Sequence, residues 1–133
     1  MNLYQRFKTN SDLEGKKGVV LDYGEGVKIT ILRAGGSNRK YQQILREKLM
    51  ASGRKLASMT DDESERGMIE VYADAVIVAW EGVKDEEGNE VPFTRENVVK
   101  IMTDLPELFA DVQRAAGAFE LFRESQKADL VGK

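Results

Sequence analysis

From Gly67 to Trp80 apolar residues recur at helical spacing with no proline to interrupt them. Met68, Ile69, Tyr72, Ala73, Val76, Ile77 and Trp80 fall on one broad stripe, and Val71, Ala75, Val78 and Ala79 widen it. By Ala75–Trp80 the apolar character runs all round, so a helix here must be buried on most sides. The β-branched residues of Val76–Trp80 also fit a strand. The helical period starts too far upstream to favour that, and it predicts a helix from Thr60 to Trp80, ended by Glu81-Gly82, as the axis of the core. Thr60 offers a capping hydroxyl, and Asp61, Asp62 and Glu63 place negative charge against the positive end of the helix dipole. Neighbouring helix positions point in different directions, so these carboxylates do not converge on a metal.

The remaining chain has to cover that axis. With 133 residues, 41% of them hydrophobic, there is material for one modest core. Lys17–Tyr23 and Val27–Arg33 are rich in β-branched and aromatic residues around Gly24-Glu25-Gly26, which predicts a β-hairpin over 17–33. Val27, Ile29 and Ile31 give it one apolar face. A lone hairpin is marginal in water, so it must pack on a helix or pair with another strand, of this chain or a neighbour's. Gly35-Gly36-Ser37 follows. Its backbone N–H groups could hold an anion, but no phosphate-loop pattern accompanies it, and a turn with a helix cap is the simpler reading.

An amphipathic helix is expected from Ser37 or Asn38 to about Leu56, with Tyr41, Ile44, Leu45, Leu49, Ser52 and Leu56 inward. Arg39, Lys40, Arg46 and Lys48 on its other faces are candidate partner-binding residues. After Trp80, Asp85–Glu90 forms a tight acidic turn leading into Val91-Pro92-Phe93, too short for a calcium loop. Thr94 caps a helix with Val98, Ile101 and Met102 inward; Asp104 is expected to cap the next, with Pro106 in its first turn and Leu105, Leu108, Phe109, Val112, Ala116 and Phe119 at helical spacing. Phe119, Leu121 and Phe122 exceed what one stripe can hide: they are either ordinary core or an exposed anchor for a partner. Residues 124–133 read as a flexible polar tail, and 1–13 as a short strand, a helix turn or a loose arm.

Composition narrows function. There is no cysteine and no histidine, which removes disulfides, thiolate metal sites and the commonest acid–base group. No enzyme chemistry and no cofactor is expected. Residues 1–60 carry 12 Lys and Arg against 5 Asp and Glu, whereas residues 61–133 carry 8 against 18. The halves, at +7 and −10, could attract within one molecule or join copies head to tail. The basic residues are scattered with few aromatics between them, so a nucleic-acid-binding regulatory module built on helix 38–56 is the alternative rather than the leading reading. No apolar run reaches the roughly 18 residues of a membrane span, and the N-terminus lacks a signal-peptide core.

The run Asp74–Val83 (DAVIVAWEGV), then Asp85–Asn97 (DEEGNEVPFTREN), then Asp104–Phe109 (DLPELF) resembles the tail assembly chaperones of long-tailed, lambda-like bacteriophages, in their short form. The likeness covers residues 70–112 and extends elsewhere only in layout. It implies a mainly helical α+β domain over 1–123, with the hairpin at 17–33 and about four helices in 37–123. It implies a protein of the host bacterial cytoplasm, absent from the mature virion, that self-associates; head-to-tail contact between the +7 and −10 halves would close a ring or extend as a spiral. Its partner would be the tape measure protein, kept soluble and extended until the tail tube polymerises around it. A frameshifted longer form, read through near Gly132-Lys133, would recruit the major tail tube protein.

Overall fold

The computed structural model describes residues 2–52 and 59–123. The expected tail 124–133 and the end of the basic helix, 53–58, lie outside the described residues.

The fold is mixed α/β and mainly helical. Its elements run α1 (Leu3–Phe7), α2 (Ser11–Gly15), β1 (Val19–Gly24), β2 (Val27–Ile31), α3 (Arg39–Ser52), α4 (Asp61–Ala75), β3 (Ile77–Glu81), α5 (Arg95–Asp104) and α6 (Pro106–Gly117), closed by a 3₁₀ segment, Phe119–Phe122. The hairpin and the number of helices after it, four, are as expected. The undecided N-terminal stretch forms two short helices, α1 and α2.

The hairpin turns through Glu25-Gly26, both at positive φ (54° and 83°), which matches the right-handed twist of the flanking strands. In β2 Ile29 and Ile31 are buried and Lys28 is exposed, the expected alternation.

The predicted helix from Thr60 to Trp80 needs correction in its last turns. Thr60 does cap α4, accepting from Glu63 N at 3.1 Å in a full capping box, but the helix stops at Ala75. After Val76 the chain is already β3, which pairs antiparallel with β2 and completes a sheet of order β1-β2-β3. The register jumps from Thr30↔Ala79 to Ile31↔Ile77, so Val78 is the extra residue of a β-bulge. The bulge turns both Ile77 and Trp80 to the core side and leaves Val78 and Ala79 exposed. Inward residues three apart are what a helix also produces, and that coincidence is why the strand passes for helix in the sequence.

The core lies between the inner face of the sheet and α4, α5 and α6. Ile29, Ile31, Ile77, Tyr72, Val76, Val98, Met102, Phe109 and Val112 are buried in it together with Leu13 of α2. Tyr72 stands edge-on to both Tyr41 and Phe109, with centroids 6.0 and 5.2 Å away. Burial pushes the Tyr72 phenol well above its ordinary pKa, with Tyr41 adding to the shift.

Asp104 does not cap α6: it is the last residue of α5, paired with Lys100 at 2.7 Å, and α6 starts from Leu105 with Pro106 in its first turn and no side-chain cap. Thr94 caps α5 as expected, and Asn97 reaches back to donate to Pro92 O at 2.9 Å.

Candidate functional site

The elements that carry the chaperone-like motif turn out to be scaffolding. Trp80 Nε1 donates to Val91 O at 2.9 Å, and its ring stands edge-on to Phe93 with centroids 5.4 Å apart. Asp85 Oδ1 accepts from Glu87 N and Asn89 N at 3.0 and 2.8 Å, which folds the acidic turn onto itself. Gly82, at φ 73°, lies so close to the hairpin turn that a Cβ would run into Gly26 O. These contacts aim α5 and α6 at the sheet. A cleft of about 540 Å³ beside this turn includes Asp85, Glu86, Glu87, Glu90 and Asp104. Two of these carboxylates already serve internal partners, Asp85 its own turn and Asp104 the Lys100 ammonium.

The anion seat considered at Gly35-Gly36-Ser37 is real but filled from within. Glu14 of α2, 1% exposed, accepts from Arg33 Nη1 at 2.6 Å and from Ser37 N at 3.1 Å. A Cβ on Gly36 would collide with that carboxylate. Burial alone would raise the Glu14 pKa; the bonds from Arg33, Ser37 and Thr9 outweigh it and hold the carboxyl below 4.5. Next to it the buried Asn38 donates to Arg33 O and Ala75 O at 2.9 and 2.8 Å, and its Oδ1 accepts from Tyr41 N at 3.3 Å. The start of α3 is thus fastened to α2, to the end of β2 and to the end of α4.

With α3 fixed at its start, its far half and α4 form the walls of a second cleft, of about 400 Å³. Leu45 and Leu49 line it from α3, Met68 and Val71 from α4, and Met59 from the residues leading into α4. Lys48, Glu63, Arg66 and Glu70 supply its charges, with Lys48 Nζ 3.2 Å from Glu70. Gly67 also lines it, at a helix position where an added Cβ would meet nothing. Leu49 is 48% exposed and neighbouring Met50 75%. Unbranched, polarizable methionine suits a surface that must accept varied side chains.

The structure divides the predicted partner-binding residues. Arg39, Lys40 and Arg46 are exposed on α3. One hundred degrees per residue puts Arg39 and Arg46 on one side of the helix and Lys48 on the opposite side, toward α4. They do not make one basic face. Phe119 and Leu121 are half-buried, Phe119 against Phe7 with centroids 5.3 Å apart. Phe122 is fully buried in the core, so it is no exposed anchor: the 3₁₀ segment turns its side chain inward. Sequence reasoning missed the cleft. The available signal was methionine placement, since Met59 and Met68, two of the chain's 5 methionines, line it.

Among the described residues no helix is long and apolar enough to cross a membrane. The model of a family described as YdaY prophage protein matches residues 36–133, from the glycine turn before α3 onward. No curated protein and no solved structure matches the chain.

Proposed function

The chain belongs to the YdaY prophage protein family, and from that premise we propose that it is a tail assembly chaperone whose α3–α4 cleft receives apolar side chains of a tape measure protein. The phage origin comes from the family. The client comes from the resemblance of residues 70–112 to tail assembly chaperones. The observation that carries the reading is the cleft itself: a methionine- and leucine-lined groove between two helices, edged by charges of both signs. A client helix offering apolar anchors at helical spacing fits such a groove, which is a recurrent mode of helix recognition. Binding there keeps the client soluble until tube subunits replace the chaperone, and needs no catalytic group or cofactor.

The test is light scattering of the prophage's own tape measure protein, or a long segment of it, as it is diluted from denaturant with and without the chaperone. Wild type is expected to suppress the scatter in a dose-dependent way. Gly67→Trp, which fills the cleft from a helix position open to solvent, is expected to abolish suppression while keeping the far-UV spectrum. Equal suppression by the two proteins would overturn the assignment of the cleft. A salt-sensitive shift of random duplex DNA by the wild type would favour the regulatory alternative on helix 38–56. Against that alternative stand the division of the α3 cations between two sides and the ion pair of Lys48 with Glu70.

A further inference from the structure

Among the described residues the three most exposed large apolar side chains are Tyr4 (81%), Met50 (75%) and Leu3 (73%). Met50 follows the cleft-lining Leu49 along α3. Tyr4 and Leu3 are on α1, a helix that buries none of its own residues yet is capped in full, Asn2 Oδ1 accepting from Gln5 N at 2.9 Å and the Gln5 side chain returning to Asn2 N. Five residues cannot hold a helix in water on their own. Phe7 packs against Phe119 and carries the Arg6 guanidinium over its ring, whereas Leu3 and Tyr4 stay in solvent. A capped helix of this kind is suited to a surface supplied by another molecule.

Charge selects the surface. Residues 2–9 carry Arg6 and Lys8 and no acidic residue. The first turns of α4, which close one end of the cleft with Glu63 and Ser64, carry Asp61, Asp62, Glu63 and Glu65 against Arg66. We propose that α1 of one copy docks in the α3–α4 cleft of a second copy. Leu3 and Tyr4 enter between Leu49 and Met68, and Arg6 and Lys8 face the α4 carboxylates. Arm and cleft are different surfaces, so each copy offers one of each, and association runs on to a ring or a spiral rather than stopping at two. The inference rests on the cleft being the client groove: the neighbour's arm holds the groove until the client displaces it.

The experiment uses two full-length variants at exposed positions, Tyr4→Asp on the arm and Leu49→Glu in the cleft, studied by sedimentation velocity over a concentration series. Wild type is expected to form multimers that grow with concentration and shrink as salt rises. Each variant alone is expected to sediment as a monomer, with self-association weakened roughly tenfold or more. In an equimolar mixture one intact arm meets one intact cleft, so a one-to-one dimer that does not grow is expected. A wild type monomeric at every concentration overturns the proposal, and so does a mixture that stays monomeric. In the scattering assay Tyr4→Asp, whose cleft no arm covers, is expected to suppress client aggregation at least as well as wild type; weaker suppression overturns the competition. Monomeric wild type that still suppresses scatter defeats the arm contact and leaves the chaperone reading standing. Complementation without suppression does the reverse.

Discussion

Replacing Glu14 by glutamine should cost the fold about 2 kcal/mol near neutral pH. Glu14 is 1% exposed and accepts charge-assisted hydrogen bonds from Arg33 and Ser37 at 2.6 and 3.1 Å. Bonds to a charged group contribute about 1.5–3 kcal/mol, and a neutral amide keeps about 1 of it while turning a donor toward other donors. Arg33 keeps 22% of its side chain in solvent, which softens the loss, but its Nε is buried without a hydrogen-bond partner among the described residues. Leucine at position 14 strands the guanidinium and is expected to cost about 3 kcal/mol, the low end for breaking a buried pair. The assay is urea unfolding followed by Trp80, the only tryptophan, at a series of pH values. Because the folded pKa lies below 4.5, the folded state binds fewer protons than the unfolded state as pH falls through that region. The contribution of Glu14 is complete above about pH 5 and is lost as pH drops through the folded pKa. Wild type should therefore converge on Glu14→Gln in acid. A glutamine variant within about 0.5 kcal/mol of wild type at neutral pH, or a gap unchanged between about pH 7 and about pH 3.5, would refute the account.

Phe122→Ala should destabilise by about 3–5 kcal/mol, since the ring is fully buried in the core; a loss under about 1 kcal/mol would restore the exposed-anchor reading. Gly82→Ala should cost more than about 2 kcal/mol in the same urea titration, because the methyl group meets the Gly26 carbonyl and φ is 73°. A neutral alanine would mean that β3 and the hairpin turn do not approach as described.

What the sequence disclosed depended on how local each determinant is. The hairpin was legible because Val27, Ile29 and Ile31 keep strict alternation and Gly24 and Gly26 mark its turn. The start of α4 was legible because Thr60 and Glu63 satisfy each other within one turn of chain. β3 was hidden because the bulge at Val78 replaces alternation with the spacing of a helix. The cleft depends on how α3 is set against α4, and that is decided by Glu14, Asn38 and Arg33, which come from separate elements and meet only when folded. An acid in the polar run Ser11–Gly15 gives no local sign that it will be buried. The predicted site residues fared unevenly for the same reason: helical period alone separates Lys48 from Arg39 and Arg46, whereas the fate of Phe122 was set by a bridge to the far end of the chain.

That bridge has a kinetic side. Thr9 pairs antiparallel with Arg123, and Asn10 N donates to Phe122 O at 2.6 Å, joining nearly the first described residues to the last. Closing so long a loop before the intervening elements are in place carries the largest entropic penalty among the described contacts, so the clasp should form after the rate-limiting barrier. Contacts made that late leave the folding rate almost untouched and act on the return journey, as a latch that slows the native molecule from coming apart.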